Sequence, residues 1–360
     1  MDTEKKSKNR IWQFDLLRIA ACLLVLLVHV SAQWLNGAVP GSRAVLFAQA
    51  CNILAFSGVS LFAMLSGALA LRREMTVKEA VVKKFLHFVL LYEIWREFYF
   101  VFHVVSTGQA KDPAAWKTYV LDGFFKIQGH YHLWFLPMIA VLFLLVPLIR
   151  EGAEKLPVCL MYLTAAVILG FAVPTFTELH LPGSEQIGSL AEPFPAAYFS
   201  GYLGYFLLGH VMYRWRERLK GIPMALLHTG GLVAFLLACM IATQRGTAAG
   251  EVYYGLDSPL NLFNLVTSAA IFSAIVGIGD ASPVGTQRRR LRLLAALADA
   301  SFGVYLLHPA VLYLLTDKHP AASVTGPGLG IPCLLFILYG ISLLVSSILL
   351  KVPLLRRLVS

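Results

Sequence analysis

Ten hydrophobic segments, each of a length that can cross a lipid bilayer, alternate with polar connections along the whole chain. They lie near residues 12–34, 44–71, 83–105, 131–149, 157–174, 195–213, 223–242, 260–279, 291–315 and 331–350. A transmembrane helix needs about 20 mostly apolar residues, because the hydrocarbon core is about 30 Å thick. The pattern predicts an all-α integral membrane protein with about ten transmembrane helices. One transmembrane domain, residues 12–350, is expected between short tails at 1–11 and 351–360.

The composition agrees with this pattern and excludes an ordinary soluble domain. Hydrophobic residues make up 58% of the 360 residues and charged residues 14%, and the mean hydropathy is +0.70. Gly58 and the small residues that begin at Ser66 permit helices to approach closely. The five cysteines are widely spaced, with no CxxC pair and no cluster with histidine. The sequence therefore predicts neither a disulfide framework nor a metal site.

Basic residues are concentrated in alternate connections, and this asymmetry predicts the orientation of the chain. With the N-terminus in the cytoplasm, 23 of the 30 Lys and Arg residues fall on the cytoplasmic side and six fall outside. Such a division follows the positive-inside rule and places both termini in the cytoplasm. The net charge of +10 is thus explained by topology rather than by nucleic-acid binding. The basic side would also attract anionic cytosolic ligands.

The first hydrophobic segment carries ionisable residues that a lipid-facing helix would lack. Asp15, Arg18 and His29 share one face, because the eleven residues from Arg18 to His29 make about three helical turns. Each such group costs roughly 2.5–3.5 kcal/mol inside a membrane helix, which favours a polar cavity over lipid contact. A neutral His29 could accept a proton from a hydroxyl group. The alternative is a helix-end ion pair of Asp15 with Arg18, together with a buried structural histidine.

Two later motifs bring imidazole and aromatic groups to the predicted outer side, where His29, His132 and His308 are expected at one depth. GHYHLWFLP at 129–137 opens the fourth segment, and ADASFGVYLLHP at 298–309 forms the ninth. The groups predicted to line an acceptor cleft there are Trp34, His132, Trp134, Ser301, Tyr305 and His308. Aromatic rings can stack on sugar faces, whereas the alternative is an interfacial aromatic belt whose rings face lipid.

Basic residues also cluster on the predicted cytoplasmic side, between the second and third segments. This basic rim consists of Arg72, Arg73, Lys83, Lys84 and His87. Such groups at the mouth of a helix bundle suit phosphates, although plain positive-inside charge explains the cluster better on spacing alone. Deeper in the third segment, Glu93, Arg96 and Glu97 have the spacing of an ion-pair cluster. A structural and a functional role for that cluster are equally open.

Taken together, these motifs resemble the acyltransferase-3 family of integral membrane acyltransferases over nearly the whole chain. The resemblance rests on FDLLRIAACLLVLLVHVS at 14–31, FAMLSGALAL at 62–71, HLWFLPMIAVLFLLVPLIR at 132–150 and SFGVYLLHP at 301–309. Within the family the chain is similar to the single-domain sugar O-acetyltransferases. The resemblance implies transfer of an acyl group, usually acetyl, from cytosolic acyl-CoA to a hydroxyl of an envelope glycan or lipid-linked sugar. The expected location is the cell inner (plasma) membrane, with multiple passes.

The resemblance also implies roles for individual residues. His29 matches the essential histidine of the family and Arg18 its basic partner, and Asp15 is the third catalytic candidate. Acyl-CoA, usually acetyl-CoA, is implied as a donor substrate and not as a resident cofactor, with its phosphates on the basic rim. Where the family often has two arginines three residues apart, this chain has Lys84 and His87, and lysine lacks the bidentate fork of arginine. The alternative function is an exporter or flippase of a polysaccharide intermediate, although no inverted repeat supports it.

Overall fold

A computed structural model describes residues 10–36, 38–108, 112–114, 116–117, 130–191, 196–278, 286–317 and 325–359. Within these ranges the chain is helical and contains no strand. Six of the lysines counted above lie outside the described residues, and so does Gly129. These lysines are Lys5, Lys6, Lys8, Lys111, Lys126 and Lys318.

Helices form in all ten of the predicted hydrophobic segments. In chain order they are α1 Trp12–Ala32, α2 Arg43–Ala55, α3 Ser57–Ala70, α4 Leu86–Ser106, α5 Phe135–Ala153, α6 Leu156–Ala166, α7 Val173–Glu178, α8 Ser184–Ala191, α9 Ala196–Arg214, α10 Ile222–Ala249, α11 Leu262–Val276, α12 Thr286–Thr316, α13 Pro327–Leu349 and α14 Pro353–Arg356. A π-helical turn, Glu79–Phe85, leads into α4, and a second, Val167–Ala172, joins α6 to α7. The second predicted segment is interrupted at Phe56, between α2 and α3.

Seven helical stretches of the described chain are long and apolar enough to cross a membrane. They are residues 12–32, 43–70, 135–153, 156–178, 222–249, 289–316 and 327–349. The prediction of an all-α, multi-pass membrane protein is confirmed at this level, while the count of ten spans stays a prediction. Helix α11 is apolar but has only 15 residues. Helix α4 contains the predicted ion-pair cluster, in which Arg96 lies 2.8 Å from Glu93 and 3.1 Å from Glu97.

The chain divides into two compact units, residues 1–72 with 152–360 and residues 73–151. In the first unit α1 is central and packs against α2, α3, α11, α12 and α13. Its core joins Leu26 of α1 to Val304 of α12 and Leu338 of α13, and all three side chains are fully buried. In the second unit, the ring of Phe88 in α4 stacks on the ring of Phe143 in α5 at 5.7 Å.

Small residues set the closest helix approaches of the first unit. A Cβ atom at Gly67 of α3 would overlap the carbonyl group of Phe206 in α9, and one at Gly209 of α9 would overlap that of Met64. A Cβ at Gly58 would lie 2.8 Å from the Ala21 carbonyl oxygen of α1. The predicted role of Gly58 and of the small residues after Ser66 in close packing is therefore confirmed.

A buried polar network reinforces the contact of α3 with α9 and α11. The side-chain amide of Asn264 donates hydrogen bonds to Ser60 Oγ at 2.9 Å and to the Tyr205 hydroxyl at 3.0 Å. The Ser57 hydroxyl donates to Asn264 Oδ1 at 3.0 Å, and the Tyr205 hydroxyl donates to the Pro259 carbonyl at 2.7 Å. Since an unpaired polar group in an apolar interior costs free energy, this network holds the three helices in one arrangement.

Asp257, in the connection between α10 and α11, is an unusual carboxylate. Its Oδ1 is buried and has no hydrogen-bond partner among the described residues. Burial raises the pKa of Asp257 from its ordinary value of 3.8 to about 7. Between these two values the folded state binds more protons than the unfolded state, so stability falls as the pH rises and is lowest above about 7.

We expect the substitution Gly67→Ala to destabilise the fold strongly. Its methyl group has no room beside the Phe206 carbonyl, and overpacking of this kind typically costs roughly 1–3 kcal/mol or more. Thermal unfolding of the purified protein in detergent measures the effect. Gly340→Ala in α13 is the matched control, because a Cβ there meets no atom within 4 Å. Equal melting temperatures for the two variants would contradict the close packing of α3 on α9.

A second prediction concerns the pH dependence of stability. Asp257→Asn removes a carboxylate that is protonated in the folded state at low pH and charged at high pH. The variant should melt at a higher temperature than the wild type at pH 8, and the difference should shrink towards zero at pH 5. Asp317→Asn, at an exposed position, serves as the control and should show no such change. A difference at Asp257 that is constant from pH 5 to pH 8 would refute the prediction.

Candidate active site

Two imidazole rings lie side by side in the first unit, His29 of α1 and His308 of α12. Their ring centroids are 5.2 Å apart and their planes are inclined by 26°. His308 is fully buried, whereas His29 is half-buried. His308 Nδ1 lies 2.6 Å from the Tyr305 carbonyl oxygen, which can only accept a hydrogen bond. In the neutral ring Nδ1 therefore carries the proton and Nε2 the lone pair. We call these two residues the histidine pair.

The register between α1 and α12 places the two rings at the same level. The thiol of Cys22 donates to the Ser301 carbonyl at 3.5 Å. His29 follows Cys22 by seven residues and His308 follows Ser301 by seven, so each ring lies about 10 Å further along its helix. The two helices consequently run parallel. The predicted common depth of His29 and His308 agrees with this geometry.

The other residues of the first unit that were predicted to contact the acceptor are Tyr305, Ser301 and Trp34, and their surroundings differ. The ring of Tyr305 is buried, 6.1 Å from that of His308 and 6.4 Å from Phe62 of α3. The Ser301 hydroxyl donates to the Leu297 carbonyl at 3.0 Å, within its own helix. The Trp34 indole donates to the Thr325 carbonyl at 2.9 Å. Backbone carbonyls thus engage Ser301 and Trp34, while Tyr305 belongs to the ring cluster around His308.

The second unit contains its own imidazole cluster. His130 Nδ1 and His132 Nδ1 are 3.1 Å apart, and Tyr99 of α4 contacts both rings, with centroid distances of 4.3 and 5.0 Å. His132 is buried, and Trp134 is half-buried. Burial lowers the pKa of His130 to about 4, so this ring is neutral at pH 7. Sequence reasoning missed Tyr99, since its contacts join residues more than 30 positions apart. The described residues contain no group of three or more metal-ligating side chains.

Arg10 binds two carboxylates at the beginning of α1. In the sequence it stands only among the basic residues predicted on the cytoplasmic side. Arg10 makes paired contacts to Asp15, with Nε 2.6 Å from Oδ2 and Nη2 3.0 Å from Oδ1. The same guanidinium binds both carboxylate oxygens of Asp299 in α12, at 2.9 and 3.1 Å. These hydrogen bonds raise the pKa of Arg10. We call Arg10, Asp15 and Asp299 the arginine clasp.

Arg18 contacts the arginine clasp through Asp15, in the ion pair that the sequence left as the alternative to a polar cavity. Its Nη1 lies 3.3 Å from Asp15 Oδ1, so the ion pair at spacing i, i+3 is present. Arg18 keeps about a third of its side chain exposed, whereas Asp15 is only 2% exposed. Asp15 therefore acts as a buried acceptor for two guanidinium groups. Arg18 keeps part of its charge available to other ligands.

The predicted basic rim is divided between the two units, and its members have different surroundings. Arg72, in the first unit, places its guanidinium 5.2 Å from the ring centre of Tyr213. In the second unit Arg73 pairs with Glu79 at 2.9 Å, and Lys83 is exposed. Lys84, which is half-buried, has its ammonium 5.1 Å from the ring centre of Phe143.

The backbone around Lys83 and Lys84 is itself irregular. Both lysines lie in the π-helical turn Glu79–Phe85, and His87 follows in the first turn of α4. π-helical turns are rare and occur often at functional sites. This wider turn changes the angle between Lys84 and His87 from that of a regular helix.

Comparison with known proteins identifies the family. A family model described as an acyltransferase domain, acyltransferase-3, matches residues 11–355. No curated protein and no solved structure matches the chain. The match includes both members of the histidine pair and the basic rim, and it confirms the resemblance seen in the sequence motifs. Because it covers nearly the entire chain, this protein belongs to the acyltransferase-3 family.

Proposed function

We propose that the protein transfers an acyl group, with acetyl as the first candidate, from cytosolic acyl-CoA to a hydroxyl of an envelope glycan or lipid-linked sugar. Family membership supports acyl transfer by a membrane protein. The stacked histidine pair is the observation that carries the choice of site. In this proposal the chain lies in the cell inner membrane with its basic side in the cytoplasm, as the positive-inside rule predicts.

His29 acts as the general base in this proposal. Its half-buried ring leaves room for a substrate hydroxyl, whereas His308 is enclosed and its Nδ1 is engaged by a backbone carbonyl. His29 takes the hydroxyl proton while the oxygen attacks the thioester carbonyl carbon. The new C–O bond forms as the C–S bond breaks, and the departing thiolate receives the proton from His29. His308 positions the ring of His29 by stacking against it.

Arg18 and Asp15 serve the donor end of the same helix. Arg18 lies eleven residues before His29, about 16 Å along α1, and its partly exposed charge is suited to the anionic donor. Asp15 is held by Arg10 and lies one turn before Arg18 on α1, so it orients the Arg18 guanidinium. On this basis Asp15 is a positioning residue, and Arg18 is the one that contacts the donor.

Lys84 is the member of the basic rim best suited to a donor phosphate. Its ammonium is half-buried against an aromatic ring, and no carboxylate within salt-bridge distance is found among the described residues. Arg73, by contrast, is already neutralised by Glu79. His87 follows Lys84 by three residues and supplies a second nitrogen donor. The acceptor is proposed to meet His29, Tyr305 and His308 of the first unit. For His132 and Trp134, acceptor contact stays a prediction from the sequence.

His29→Ala tests the proposed base. Removal of a general base typically slows catalysis by about 10²–10⁴-fold, and the variant should remain folded. Release of free thiol from acetyl-CoA by the purified protein, with and without an envelope-glycan extract, measures the activity. His228→Ala is the matched control, because His228 is also half-buried and lies in α10. Normal turnover by His29→Ala would refute the assignment. A wild-type protein that neither hydrolyses nor transfers the acyl group would favour the exporter.

Lys84→Gln tests the donor site. Loss of a charge-assisted contact worth roughly 1.5–3 kcal/mol should raise the KM for acetyl-CoA about 10- to 100-fold while changing kcat little. Lys84→Arg should retain most of the affinity. Lys78→Gln, at an exposed position before the same π-helical turn, is the control. An unchanged KM in Lys84→Gln would place the donor phosphates elsewhere.

A further inference from the structure

A pocket outside the candidate active site opens at the basic end of the first unit. Its volume is about 560 Å³. It lies among the start of α1, Arg72 just beyond the end of α3, and the adjoining ends of α9, α10 and α11. The rim contains Arg72, Tyr213, Arg216 and Lys220, and the apolar side is formed by Met212, Met224, Phe272 and Val276.

The rim of this pocket has an excess of positive charge. The guanidinium groups of Arg72 and Arg216 lie over the ring of Tyr213, at 5.2 and 4.7 Å from its centre. Lys220 pairs with Glu217 at 2.6 Å, and Glu217 lies 3.9 Å from Arg216. Arg72 has no carboxylate partner among the described residues. Arg10, which also lines the pocket, is paired with Asp15 and Asp299. The rest of the rim has three cations and one carboxylate, and this excess of positive charge suits an anion.

The position of the pocket separates it from the histidine pair. Gln13 lines the pocket, and its amide donates to the Ile278 carbonyl at 3.1 Å. Gln13 precedes His29 by sixteen residues, which places it about 160° around α1 at 100° per residue. The pocket also includes Arg10, Ile11 and Trp12, so it lies at the N-terminal end of α1. Gln13 is about 24 Å along the helix from His29.

We propose that this pocket binds the headgroup of an anionic phospholipid from the cytoplasmic leaflet. The orientation proposed above puts the pocket at the inner membrane surface, where basic pockets between helices attract such headgroups. The phosphate lies against Arg72, Arg216 and Lys220, while the glycerol and the first methylenes contact Met224, Phe272 and Val276. Because the occupied pocket joins the start of α1 to the ends of α9–α11, the lipid stabilises the folded protein by binding it preferentially.

The test measures lipid binding and not catalysis, so its result is independent of the proposed acyl transfer. The full-length protein is placed in phosphatidylcholine nanodiscs with or without phosphatidylglycerol, and its melting temperature is recorded. Native mass spectrometry of detergent-purified protein counts retained phosphatidylglycerol. The double variant Arg216→Gln/Lys220→Gln should bind phosphatidylglycerol roughly 30-fold more weakly and lose most of the melting shift. Arg289→Gln/Arg290→Gln, which removes two exposed charges of α12, is the control.

A second variant leaves every charge in place. Met224→Trp should fill the apolar side of the pocket and reduce phosphatidylglycerol retention, while the KM for acetyl-CoA stays unchanged. The melting temperature is also measured with inorganic phosphate and with coenzyme A. These measurements show whether the pocket prefers a lipid phosphate or another phosphate. The proposal is overturned if the double variant keeps the full phosphatidylglycerol shift. It is equally overturned if coenzyme A or inorganic phosphate, but not phosphatidylglycerol, stabilises the wild type through Arg216 and Lys220.

Discussion

The buried carboxylate of Asp15 constrains where α1 can lie. A carboxylate that is 2% exposed is strongly disfavoured unless a cation and further hydrogen-bond donors accompany it. Arg10 satisfies both needs, and because the same guanidinium binds Asp299, the neutralisation of α1 also attaches it to α12. From this anchor the two helices run parallel, through the contact of Cys22 with Ser301, until His29 lies beside His308. The arrangement of the proposed base thus depends on an ion cluster about four turns away along α1.

Close packing transmits this arrangement to the rest of the first unit. Helices in lipid gain little from the hydrophobic effect between them, so small residues and interhelical hydrogen bonds determine how they meet. Gly58 brings α3 against α1, and Gly67 brings the same helix against α9. As a result Phe62, midway between these glycines on α3, reaches the ring of Tyr305 beside the histidine pair. The packing that holds the fold also forms one wall of the candidate site.

Sequence reasoning predicted what depends on local spacing and missed what depends on the order of helices in space. Hydrophobic runs predicted the helices. The i, i+3 spacing predicted the pair of Glu93 with Arg96 and gave the pair of Asp15 with Arg18 as an alternative. Counting residues from the basic side predicted a common depth for His29 and His308. The stacking of those rings could not be predicted, because residues at the same depth in the membrane can lie on helices that are not adjacent. Arg10 and Asp299, 289 residues apart, were missed for the same reason.

The basic residues show why a shared sequence signal can lead to different chemistry. All of them fit the positive-inside pattern equally well. In the structure Arg73 pairs with Glu79, and Arg10 is held between two carboxylates. Lys84 and Arg72 instead lie over aromatic rings, which attract a cation without cancelling its charge and cover part of its stem. Their charge is therefore left for an anionic ligand, as is that of Arg216, which shares the Tyr213 ring with Arg72.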